Sequence, residues 1–169
     1  YGPFSQEIMD AFIKLDKYLG NFIEFLDKSV GLKNVQFVLT GDHGGLPLPE
    51  YVIEQGGIAG RINREHLKEA FEWIDEEVEE KIGKNFYHRS GGNFFLDLDR
   101  LKKADIDPRV IYDIAQKYLP KVEGIGRIIY KEDIIASTAT DKITHRLQNM
   151  IHPHKTPEIF PILTKGYLY

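Results

Sequence analysis

Apolar side chains recur at alternating spacings of four and three from Ile8 through Phe12, Leu15, Leu19 and Phe22 to Leu26, one stripe at the helical repeat. The spacing predicts a helix over residues 5–30. Ser5 can cap its start, Glu7 falls in the first turn, and Gly31 suits the stop. The run Val35-Gln36-Phe37-Val38-Leu39 shows no alternation beyond Gln36, so it reads as a central strand buried on both faces. A loop with Pro47, Pro49, Gly56 and Gly57 then extends to Gly60, long enough to be functional or to lead into another lobe.

Asn63 begins a second helical pattern, to about Ile82, with Leu67, Phe71, Ile74, Val78 and Ile82 on one face and many glutamates on the solvated side. Beyond residue 84 the pattern becomes strand, helix, strand. Asn93–Leu98 reads as a strand, Asp107-Pro108 opens a helix that Pro120 ends, and Gly126–Tyr130 is the return strand. This is a small split α/β lobe. A helix over Thr140–Ile151 and a strand over Ile159–Leu168 follow, with Pro161 at an edge or bulge.

Composition narrows the classes. The 169 residues are 42% hydrophobic and 28% charged, an ordinary globular balance. A net charge of -4 argues against a dedicated nucleic-acid binder. No apolar run approaches the roughly 20 residues of a membrane span, and the absence of cysteine excludes disulfides and thiolate metal sites. The start at Tyr1 and the stop inside the apolar stretch Phe160–Tyr169 suggest a piece of a longer protein.

The chemistry concentrates in Thr40-Gly41-Asp42-His43-Gly44. Asp42 and His43 offer a hard oxygen beside an imidazole nitrogen, and the flanking glycines permit a sharp turn and close approach of a ligand. The strand before it would deliver the pair to a sheet rim, where α/β folds bind ligands. A zinc site needs three or four protein ligands, so two readings stand: part of a metal site, or a turn in which Asp42 accepts backbone N–H groups. His152-Pro153-His154 reads as an exposed loop, with a supplementary metal-site role as the alternative. His66 and His145 read as surface or half-buried residues, and Trp73 as helix packing. His88-Arg89-Ser90-Gly91-Gly92 reads as a glycine-bearing loop with a cation that could touch phosphate, but it lacks any phosphate-cradle spacing.

Three stretches carry a resemblance: Gly2-Pro3-Phe4-Ser5 to Leu15-Asp16-Lys17-Tyr18-Leu19-Gly20, Phe25-Leu26-Asp27-Lys28, and Leu39-Thr40-Gly41-Asp42-His43-Gly44. With Pro49-Glu50-Tyr51 and the segment Asn149–Tyr169, they resemble the alkaline phosphatase superfamily, in its type I phosphodiesterase/nucleotide pyrophosphatase branch with the bacterial alkaline phosphatases. The resemblance implies an α/β class: part of a three-layer α/β/α core with a small inserted α+β lobe. Residues 1–60 would belong to the core, 61–140 to the lobe, and 141–169 would return to the core. By resemblance Asp42 and His43 are zinc ligands in a site that uses two zinc ions. An Asp-x-x-x-His motif normally precedes the Gly2-Pro3 position, a further histidine follows the Tyr169 position, and a Ser/Thr nucleophile lies upstream, so no catalytic residue falls in this chain. Lys155-Thr156-Pro157-Glu158 stands where several relatives carry an Arg-Ser-Gly-Asp-like run.

The expected function is therefore a fragment of a zinc-dependent phosphomonoesterase or phosphodiesterase/nucleotide pyrophosphatase, inactive alone. Its partner would be a small phosphate ester or nucleotide, and copies of the fragment would self-associate through uncovered sheet edges. The alternative is a non-catalytic accessory module on the same scaffold. An exported, periplasmic location is implied by the resemblance only.

Overall fold

The computed structural model describes residues 2–169. It divides into a first unit that ends at Ala59 and a second, Gly60–Tyr169.

In the first unit the long helix α1 (Gln6–Val30) forms where the apolar stripe predicts it. Ser5 Oγ accepts the Ile8 N–H at 3.3 Å. Gly31, at φ 77°, ends the helix by donating its N–H to the Leu26 and Asp27 carbonyls. The stripe is uncovered, however. No α1 residue is buried, and Phe12, Leu15, Leu19 and Phe22 are all exposed. The strand expected at Val35–Leu39 does not form. A strand needs a neighbour to pair its backbone groups, and no described strand pairs with this run. Leu39 is 98% exposed, the opposite of a central strand. The following loop contains one short helix, α2 (Pro49–Glu54), which Pro49 opens in its first turn.

The second unit runs β1 (Gly60–Arg61), α3 (Arg64–Ile82), β2 (Tyr87–Ser90), β3 (Asn93–Leu96), α4 (Leu98–Lys103), α5 (Arg109–Tyr118), β4 (Ile125–Tyr130), α6 (Lys131–Ala136), α7 (Lys142–Met150), β5 (Ile159–Leu163) and β6 (Tyr167–Leu168). Its main sheet has the order β2-β3-β5-β4. β5 is antiparallel to both β3 and β4. β3 and β4 therefore run the same way, and α4 and α5 make the crossover of a split β-α-β arrangement. β1 and β6 pair in parallel, with Gly60 opposite Tyr167, so the first and last strands of the unit are neighbours.

Within residues 141–169, β5 lies between β3 and β4 in the sheet of the second unit. Two expectations change here. The single strand expected at Ile159–Leu168 is two, broken by a turn in which Gly166 has φ 90° and Tyr167 donates its N–H to Thr164 O at 3.0 Å. His88, Arg89 and Ser90, expected in a glycine-bearing loop, belong to the strand β2. Gly91 and Gly92, at φ 57° and 86°, form the two-residue turn of the β2–β3 hairpin, a conformation that favours glycine at both positions. Pro161 sits in an interior strand, yet only Ile159 of β5 pairs with β3, so Pro161 has a strand partner on the β4 side alone.

Alternation along the strands builds two core layers. Ile128 and Tyr130 of β4 and Ile159 of β5 pack with Ile74, Phe94, Ile111 and Ile114 beneath α3 and α5. The intervening Ile129 and Phe160 pack with Ile134 and Leu147 of α6 and α7.

One buried ion pair ties these layers together. Lys131 Nζ donates to Glu158 Oε1 at 2.6 Å, and the side chains are 4% and 12% exposed. Glu158 Oε2 accepts the Leu96 N–H at 2.8 Å, and Lys131 Nζ also reaches the Pro153 carbonyl at 3.3 Å. A second cluster joins α3 to α5. Glu77 accepts from Lys117 Nζ at 2.6 Å, Tyr118 Oη at 2.7 Å and Lys81 Nζ at 2.8 Å. These bonds, that of Lys117 foremost, hold the Glu77 carboxyl at about 2, below the usual 4.5.

Glu158→Ala is expected to destabilise the second unit by about 3–5 kcal/mol, because it strands the Lys131 charge; urea unfolding measures this, and the double variant Lys131→Met/Glu158→Leu should recover most of the loss. The Glu77 carboxyl titrates lower in the folded chain than in the unfolded one, so its stabilisation is complete above pH about 4.5 and is lost as the pH falls towards about 2. Glu77→Gln should flatten the stability profile across that window, which acid titration of the unfolding midpoint would reveal.

Candidate metal centre

The Asp42–His43 turn projects into solvent, with side chains 87% and 79% exposed. Asp42 Oδ1 accepts the His43 N–H at 2.9 Å, which fixes the carboxylate over its own turn. His43 Nδ1 lies 3.0 Å from Gly44 O. A carbonyl only accepts, so this contact places a proton on Nδ1 and turns Nε2 towards the open side of the ring. His43 Nε2 is 3.4 Å from Asp42 Oδ2. Two ligand atoms that share one tetrahedral zinc at bond lengths of about 2.0–2.2 Å have about this separation. A Cβ built on Gly41 or Gly44 would meet nothing within 4 Å, so the space around the pair is open.

The chain just before α1 closes against the segment that follows the turn. Gly2, Pro3, Phe4 and Ser5 line a cavity of about 100 Å³ with Pro47, Leu48 and Tyr51. The Phe4 and Tyr51 rings lie 5.4 Å apart. Gly2 is buried here, and a Cβ on it would come within 3.1 Å of Leu48 Cγ. Two of the segments that carry the resemblance thus pack together, and they tether the start of α1 to the stretch after the Asp-His turn.

Among the described residues no group of three or more His, Cys, Asp and Glu side chains is arranged to hold a metal. Asp42 and His43 fit as half of such a site by their donor chemistry and spacing. The other candidates have ordinary partners. The His154 N–H donates to His152 Nδ1 at 3.2 Å, which occupies that nitrogen. His145 Nδ1 accepts from the Asn149 side-chain amide at 2.8 Å. His66 is exposed in the first turn of α3. Trp73 packs on Tyr118, ring centres 5.8 Å apart.

Arg89 is not free to meet a phosphate. Its guanidinium lies 4.3 Å from the centre of the Phe71 ring and donates to Asp75 at 2.8 Å and to the Phe71 carbonyl at 3.2 Å. Tyr87 donates to the same Asp75, and burial together with this bond pushes the Tyr87 hydroxyl pKa up. The signal for β2 was present in the sequence: alternate residues Tyr87 and Arg89 point to one face, and a Gly-Gly turn follows.

The type I phosphodiesterase / nucleotide pyrophosphatase family model matches residues 1–159, and the chain belongs to this family. Alkaline phosphatase PhoV of Synechococcus elongatus is 28% identical over 167 residues, covering 99% of this chain and 30% of that protein. Alkaline phosphatase PafA of Elizabethkingia meningoseptica is 25% identical over 170 residues, with the same 99% and 30% shares. A protein of Myroides odoratus named calcium-transporting ATPase is 24% identical over 147 residues, 86% of this chain and 26% of that protein. The crystal structure of wild-type PafA matches with a TM-score of 0.76 at 24% identity, over 99% of this chain and 32% of that one. The chain therefore has the mixed α/β fold of that part of the phosphatase and spans about a third of its length.

Arg89→Ala should lower stability by about 1–2 kcal/mol through lost ring stacking and ion pairing, with phosphate binding by calorimetry the same as in the unmodified chain.

Proposed function

We propose that the chain is part of a metal-dependent phosphate-ester hydrolase in which Asp42 and His43 hold one of two zinc ions. The observation that supports this most is the 3.4 Å approach of His43 Nε2 to Asp42 Oδ2 in an open, glycine-flanked turn, in a chain of the type I phosphodiesterase family. Bound there, zinc would supply Lewis acidity toward a phosphoryl oxygen. The chain's own residues position it: the Gly44 carbonyl fixes the imidazole tautomer, and the His43 N–H orients the carboxylate. The substrate is a small phosphate ester or nucleotide, attacked by a Ser/Thr hydroxyl from elsewhere in the parent protein. The apolar face of α1 and the run Val35–Leu39 are the surfaces on which neighbouring elements of that parent pack.

Zinc titration by calorimetry tests this, run beside Asp42→Ala/His43→Ala. The expected result is weak saturable binding that the double variant loses, with no phosphate released from p-nitrophenyl phosphate by the chain alone. Zinc uptake of equal strength in the variant would remove the assignment and favour the accessory-module reading, and turnover by this chain would refute the claim that the nucleophile lies outside it.

A further inference from the structure

The second unit carries one acid-free stretch. Residues 142–157 contain Lys142, Arg146, Lys155 and three of the chain's six histidines, His145, His152 and His154, but none of its 26 Asp and Glu residues. All six of these side chains are exposed. Thr144 and Leu147 are buried and anchor α7 in the core, so its outer face is rigidly presented. That face places Ile143 and Met150, 54% and 56% exposed, beside Lys142 and Arg146 at helical spacing. Among the described residues no acidic side chain pairs with Lys142, Arg146 or Lys155. The acids nearby are Asp141, whose carboxylate accepts the Ile143 and Thr144 N–H groups, and Asp133 on α6, which Arg109 holds. Glu132 on α6 is exposed.

We propose that the outer face of α7 and the following His-Pro-His loop form a docking surface for an anionic lipid bilayer. Exposed cations with no acidic partner make this face locally complementary to an anionic surface, on a chain whose net charge is -4. Exposed Ile143 and Met150 among those cations match the acyl–headgroup boundary of a bilayer, where an amphipathic helix lies in the plane of the interface. A nucleic acid offers such side chains nothing comparable at its phosphates. No helix of the described residues is long and apolar enough to cross a membrane, so the contact is superficial.

Co-sedimentation of the whole chain with vesicles at low salt tests this, using phosphatidylcholine alone and phosphatidylcholine mixed with phosphatidylglycerol. The chain should bind the mixed vesicles and leave the neutral ones. Lys142→Gln/Arg146→Gln should weaken binding about 25-fold, since each cation near such a surface contributes about fivefold. Ile143→Ser/Met150→Ser should weaken it too, and far-UV circular dichroism should show both variants folded. Equal binding to neutral vesicles, unaffected by the cation variant, would mean that the exposed α1 stripe drives adsorption and would overturn the proposal. So would absence of binding to the mixed vesicles, or binding insensitive to Ile143→Ser/Met150→Ser that an oligonucleotide displaces.

Discussion

Apolar surface must be removed from water for a helix or strand to be stable in its fold, and this chain meets that constraint in one unit only. The buried core clusters belong to residues 62–160. There the two faces of β4 and β5 are covered by different helices, and the buried Lys131–Glu158 pair joins the start of α6 to β3 and β5. The first unit has equally apolar material, with Phe12, Leu19, Phe22 and Leu39 all exposed. The Asp-His turn therefore sits on the part of the chain with the least packing of its own.

The same constraint bears on the proposed metal site, for which this chain offers two neighbouring candidate ligands, Asp42 and His43. Two donors on consecutive residues set their mutual distance by local hydrogen bonds alone, His43 N–H to Asp42 and Nδ1 to Gly44. Further ligands must come from other segments, and packed elements are what bring distant segments together. A chain that spans about 30% of its phosphatase relatives can carry the local pair intact and still lack the surrounding sheet.

Local physics was legible in the sequence, and long-range pairing was not. The stripe and caps of α1, the Asn63 cap of α3 and the Asp107-Pro108 start before α5 depend on residues a few positions apart, and each appears where the pattern placed it. The split β-α-β arrangement was also readable, because strand, crossover and strand follow in order. Val35–Leu39 has the composition of a central strand, but strandedness belongs to a pair, and no described partner exists. β2 carries a strand signal in the alternation of Tyr87 and Arg89 before a Gly-Gly turn, but its polar residues suit a loop equally well, and the shared Asp75 that distinguishes the two lies on another element. Glu158 stood out only as a departure from a family pattern. Its partner Lys131 lies 27 residues away, and no local rule links them.

Hydrogen–deuterium exchange followed by mass spectrometry tests the central claim most directly, because it reads packing segment by segment. Amides of β4, β5, α3 and α5 should exchange slowly and as one cooperative unit. Those of residues 35–47 should exchange near the unstructured rate, and those of α1 faster than those of α3 despite its greater length. Uniform slow exchange through residues 6–47 would contradict the account, since it would require a core that the first unit is here described as lacking.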